Sequence, residues 1–237
     1  MLRAFFLSMS LFAASPAAAN ELPEPVANAL LHVIAHEAGH AVLREFDLPI
    51  LGPEEDIAED FATVFVYLTL PDRAEAIIDA RARQHIADGV TPGPFSEYRP
   101  DVQSAGRMVC LLYGFDPDRF AALADRHAMD TDSRDACADM APEVLRSWRR
   151  TLTPLWIDPD ARVTEVGLRV DPDLEAQVLA NRPLIETALS ILSRLDWHSR
   201  ITLDIAQCDG SAGWRRNGRV IYVCSAYINR MVNQLAP

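Results

Sequence analysis

The sequence predicts an α+β protein, mainly helical, closed at its C-terminal end by a small antiparallel sheet with one covering helix. Three observations predict it. Apolar residues recur at helical spacing from about residue 24 to 150. Strict apolar alternation, the period of a strand, begins only after Pro154. A run of helices followed by a run of strands is the pattern of segregated layers, not of βαβ units.

Taken in order, Leu30, Leu31, Ile34, Ala35, Ala38, Ala41 and Val42 predict a largely buried helix over about residues 24–46. That helix carries His36-Glu37-Ala38-Gly39-His40. Residues four apart share a helix face, so both imidazoles can reach one metal ion with Glu37 beside it. This is the spacing of zinc peptidases: His36 and His40 become metal ligands and Glu37 the general base. Gly39, costly inside a helix, implies a close neighbour. Leu48-Pro49 and Gly52-Pro53 stop this helix and start the next.

A catalytic zinc usually takes three protein ligands and one water, so a third ligand is needed. The second helix opens with Glu54-Glu55-Asp56, and Ala58, Phe61, Ala62, Phe65 and Leu68 form its apolar face. Glu55 and Glu59 lie one turn apart, which suits Glu55 as ligand and Glu59 as the acid that hydrogen-bonds a ligand histidine. Asp56 and Asp60 make the same pair rotated by one residue. Glu54 reads as a neighbour only, and an acidic first turn is also favoured by the helix dipole alone.

Further helices are expected near residues 72–87, 101–113 (closed by Gly114), 117–126 and 133–150, with a Gly/Pro-rich loop over 88–100 that reads first as a connection and second as a border of the cleft. After a lobe boundary near 155, a strand is expected at 163–170 and an amphipathic helix at 172–195. Strands at 201–205 and 220–223 would flank a turn at 210–218. His127 and Tyr98 are candidates to stabilise an oxyanion, with surface or packing roles the ordinary reading of each; His32 reads as a cleft-lining or core residue and the four tryptophans as packing residues.

The motif HEAGH, the linker Leu-Pro-Ile-Leu-Gly at 48–52 and the Glu-Glu-Asp at 54–56 resemble the DUF4344 family, grouped with the gluzincin-like H-E-x-x-H metallopeptidases. Cys110-Leu111-Leu112-Tyr113-Gly114-Phe115-Asp116-Pro117, Arg134-Asp135-Ala136-Cys137, and Ser147-Trp148 are similar to further elements of that family. So is the segment bracketed by Cys208 and Cys224. The resemblance implies a zinc-dependent hydrolase acting on a peptide or protein. Ser96-Glu97-Tyr98-Arg99 and Ser211-Ala212-Gly213-Trp214 depart from the family pattern, which motivates the alternative of a catalytically inactive, secreted zinc-binding module.

Residues 1–19 read as a signal peptide, with Arg3, an apolar stretch over 4–14 and Ala17-Ala18-Ala19, leaving 20–237 as a single exported, periplasmic or secreted, domain. The apolar stretch falls short of the roughly 20 residues of a membrane span, so no membrane insertion follows cleavage. In that compartment four cysteines favour disulfides. Of three pairings, the local one joins Cys110 to Cys137 and Cys208 to Cys224. The net charge of −12, with arginine as the sole base, argues against nucleic acid or anionic membranes as partners. Nothing in the sequence fixes the oligomeric state.

Overall fold

Helix α1 (Glu24–Glu45) runs through the centre of the protein because its residues are apolar on almost every side. The computed structural model describes residues 21–157 and 165–235. The expected signal peptide, and the first residues of the strand expected at 163–170, lie outside them. Pro53 starts α2 (Glu54–Thr69), whose Phe61, Ala62 and Phe65 pack on α1. The two helices touch at Gly39: a Cβ there would lie 3.1 Å from the Ala58 Cα, so the missing side chain is what lets the backbones approach. A short 3₁₀ turn leads into α3 (Ala74–Asp88), ended by Gly89 in the left-handed conformation.

Helix α4 (Asp101–Phe115) does not close at Gly114. It runs through that residue because α6 (Thr131–Leu152) crosses there, and a Cβ at Gly114 would sit 2.2 Å from the Cys137 carbonyl oxygen. The glycine serves close packing, and the Cys110–Cys137 disulfide fastens the same crossing. The short α5 (Ala121–Arg126) connects the two, and Asp130 caps α6 by accepting from the Ser133 N–H at 2.7 Å.

The C-terminal part is a four-stranded sheet with one helical layer on each flank of its chain path. In order come β1 (Gly167–Val170), α7 (Glu175–Ala180), α8 (Arg182–Leu192), β2 (Thr202–Ala206), β3 (Ala212–Arg215), β4 (Val220–Cys224) and α9 (Ser225–Leu235). The single helix expected over 172–195 is broken at Asn181, because Pro183 begins a new helix there. The sheet order is β1-β2-β4-β3, and the sheet is mixed where an antiparallel one was expected. β1 pairs β2 and β2 pairs β4 in parallel; only β3 and β4 are antiparallel. The reason is connectivity. α7 and α8 carry the chain back across the sheet before β2, as a parallel neighbour requires. The expected turn at 210–218 contains β3, which takes the outer edge and leaves β4 to slot in beside β2. Cys208–Cys224 therefore ties the end of β2 to the end of its parallel neighbour.

One hydrophobic core runs from Val26 on α1 to Leu235 on α9 and draws on both sides of residue 155. Phe61 and Phe65 of α2 meet Trp148 and Trp156 within it. The sequence reading contains no counterpart of α9, whose Tyr227, Ile228, Met231 and Leu235 form one buried face against α1 and α3. Among the described residues no helix is long and apolar enough to cross a membrane.

Candidate metal centre

His36 and His40 project from one face of α1, and their Nε2 atoms lie 3.2 Å apart. Glu55, in the first turn of α2, places its two carboxylate oxygens 3.3 Å from His36 Nε2 and 3.5 Å from His40 Nε2. The three residues offer ligand atoms all within 4.8 Å of one another. The spacing fits a tetrahedral ion: bonds of about 2.0–2.1 Å imply ligand–ligand edges of about 3.3–3.4 Å. The contact at Gly39 makes this possible, since it brings the first turn of α2 under the motif.

Each histidine is held from behind by a carboxylate. Glu59 accepts from His36 Nδ1 at 2.6 Å and Glu54 from His40 Nδ1 at 3.1 Å. With the Nδ1 protons so engaged, both Nε2 lone pairs face the same point. Glu54 is thus no bystander: it also pairs with Arg44, which fixes its own position. Glu59 is buried and lies 3.4 Å from His85 Nε2, whose Nδ1 is 3.1 Å from Asp101. The alternative acidic pair is engaged elsewhere. Asp56 is bound by Arg99 at 2.6 Å, and Asp60 by both arms of Arg107 at 2.9 and 2.7 Å.

The electrostatics are those of a site short of positive charge. Burial alone would depress the His36 pKa, but the hydrogen bonds that its ring donates to Glu55 and Glu59 outweigh it and lift it to about 10. Burial would raise the Glu55 carboxyl, yet His36 and His40 hold it down at about 2. Two imidazole nitrogens in contact must share a cation, whether a proton or a metal ion. Glu37, beside His36, is buried, and that burial pushes its carboxyl up. His32 lies deeper still, held neutral by burial with a pKa of about 3, and neither ring nitrogen has a hydrogen-bond partner among the described residues. It is a core residue.

The cluster forms the floor of a cleft with two lobes, about 670 and 570 Å³. Tyr98, from the loop over 89–100, stands in both lobes; burial and the neighbouring Glu55 push its phenol up to about 12. The other candidate, His127, lines neither lobe and pairs with Asp79 at 3.1 Å. Ser211 and residues of β3 also line the larger lobe, among them Trp214, which packs against the core as expected and faces the cleft as well. Arg81 from α3 and Tyr227 from α9 complete it.

A family model, DUF4344, described as "Putative metallopeptidase", matches residues 4–152, more than half of the chain. The chain belongs to the DUF4344 family. No curated protein and no solved structure matches it. The DUF4344 match spans α1 to α6, and so includes His36, Glu37, His40, Glu54, Glu55 and Glu59. It ends before β3 and α9, which supply the far wall of the cleft. Sequence reasoning missed that wall, along with Glu54 and Arg81. A signal for Arg81 existed: it shares the narrow apolar stripe of α3 with Ile77 and Ile78, where a charged residue has no structural business.

Proposed function

We propose that this protein is a zinc-dependent peptidase in which His36, His40 and Glu55 hold the ion and Glu37 is the general base. The observation that carries the reading is the convergence of three ligand atoms at tetrahedral spacing beside a buried carboxylate with a raised pKa, at the floor of an open cleft. Bound there, zinc would supply a Lewis acid and lower the pKa of a water toward about 7. Glu37 would accept the proton of the attacking water at its carboxylate and return it to the leaving amine nitrogen. A base with a pKa above the usual carboxylate range is better matched to that transfer. Tyr98 keeps its phenolic proton at neutral pH and can donate it to the carbonyl oxygen as charge develops there.

A peptide substrate is supported by β3. It is an edge strand, paired only to β4, and it lines the cleft, so an extended chain can add to its free edge through backbone hydrogen bonds. The two disulfides support an oxidising, non-cytosolic location.

Mass-spectrometric profiling of a peptide mixture tests the proposal. The zinc-loaded protein should cleave, a chelator should stop it, and Glu37→Gln should lower kcat by about 10²–10⁴-fold while retaining zinc. Unimpaired hydrolysis by that variant would contradict the role of Glu37. A zinc-loaded wild type that cleaves nothing would favour a non-catalytic zinc-binding module.

A further inference from the structure

Arg81 is 8% exposed and carries its charge into the protein without a carboxylate partner among the described residues. Its neighbours follow the opposite rule: Arg99 pairs with Asp56, Arg107 with Asp60, and Arg44 with Glu54. The Arg81 guanidinium donates only to neutral oxygens, the Gln84 amide and the Tyr227 hydroxyl, the latter at 3.2 Å. Its Nε has no hydrogen-bond partner among the described residues. Glu59 and Asp88 act on it only through space. Asp88 is instead occupied by the amides of Gln84 at 2.8 Å and Gln234 at 2.6 Å. An unpaired buried guanidinium is costly, so such a group is retained where a ligand completes it.

Tyr227 points the same way. Its oxygen accepts from Arg81 and, at 3.3 Å, from Gln84. With both lone pairs engaged, its one proton is left to donate, and no acceptor for it exists among the described residues. Arg81 and Tyr227 line both lobes of the cleft, together with His36 and Glu55. The cleft thus presents a planar fork of N–H donors and a phenolic O–H, all donors, beside the metal cluster. A carboxylate matches that set, since it accepts several bonds in one plane and brings the missing negative charge.

We propose that Arg81 and Tyr227 form a carboxylate subsite, so that the substrate is a peptide bearing a carboxylate close to the bond that is cut. The carboxylate is either the free C-terminus or an Asp or Glu side chain. Gln84 is a positioning residue that holds both donors. This inference rests on the peptidase reading, which supplies the class of ligand.

The test uses one peptide series in three forms: free C-terminal acid, C-terminal amide, and amide with a single internal glutamate. Preference for the acid form, with cuts next to the C-terminus, identifies the terminal carboxylate as the source. Preference for the glutamate form, with cuts at that residue, identifies the side chain. In either case Arg81→Gln should reduce kcat/KM about 10–100-fold more for the preferred form than for the plain amide, so that the preference collapses. Tyr227→Phe, a milder variant that preserves packing, should reduce it about 2–10-fold. Cleavage of all three forms with equal kcat/KM would overturn the subsite while leaving the peptidase reading intact.

A second readout needs no turnover. The acid and amide forms of one peptide are titrated calorimetrically into the zinc-loaded Glu37→Gln protein. The acid should bind at least about tenfold tighter, and the advantage should vanish when Arg81→Gln is added. An acid advantage that survives Arg81→Gln would assign the carboxylate to the metal and overturn the proposal. Failure to bind either form would also overturn it.

Discussion

At the scale of single residues, the account depends on which groups touch the ion and which only aim those that do. Glu55→Ala removes a proposed ligand atom and should weaken zinc binding by orders of magnitude. Glu54→Ala and Glu59→Ala leave the ligands in place but free His40 or His36 to rotate, so each should cost about 10–100-fold in affinity. Competition titration against a chromophoric chelator ranks the three. Wild-type affinity in Glu54→Ala would show that its contact with His40 is incidental. In the metal-free protein the same cluster sets the pH dependence of stability. The His36 pKa is raised from 6.5 to about 10, so its contribution is fully present below pH 6.5 and is lost as the pH climbs toward 10. Glu55 is lowered from 4.5 to about 2, so its contribution is present above pH 4.5 and is lost on acidification toward 2. Thermal melts with a chelator present should therefore peak between about pH 4.5 and 6.5. A Tm that rises steadily from pH 6.5 to 10 would contradict the electrostatics described here.

At the scale of elements, two glycines decide how closely helices meet. Gly39 lets α2 bring Glu55 to the motif, and Gly114 lets α6 cross α4. At Gly114 the obstacle is backbone, which cannot swing aside. Gly114→Ala should therefore destabilise by about 3 kcal/mol or more, despite the gain in helix propensity, as read by urea denaturation. A neutral or stabilising result would mean that the crossing can open to admit a methyl group at Gly114. This pair also shows what could be read in advance. The role of Gly39 was legible because a glycine inside a strongly apolar helix signals a close neighbour. Gly114 stands near a helix end, where a terminating glycine is the ordinary reading, and only the position of α6 distinguishes the two. The His36, Glu37 and His40 spacing was legible for a local reason, the geometry of a single helix. The contact between Glu54 and His40 was not, because it depends on how two helices are rotated against each other.

At the scale of the whole molecule, the helical part and the sheet share one core and one cleft. The alternating strands were visible in the sequence, but their order was not. Pairing partners are set by where the chain crosses over, and β3, four residues that include Gly213, is too short to stand out from a turn. The same blindness hid the cleft's far wall, since Tyr227 and Trp214 reach the metal cluster only through the sheet topology. Because the core is shared, we predict that residues 1–157, although they hold every proposed metal ligand, do not fold as an independent unit. Produced alone, that fragment would expose the part of α1 that packs on α8, α9, β3 and β4. It should show no cooperative melt by circular dichroism. A fragment that melts cooperatively and binds zinc like the full chain would show that the sheet is an accessory.

Anomalous diffraction at the zinc edge, from crystals of the zinc-loaded full chain, tests the central claim most directly. The account predicts one strong peak about 2.0–2.2 Å from His36 Nε2, His40 Nε2 and a Glu55 carboxylate oxygen, with Glu37 unligated beside it. A peak held by Asp56 in place of Glu55, or no peak between the two motif histidines, would contradict it.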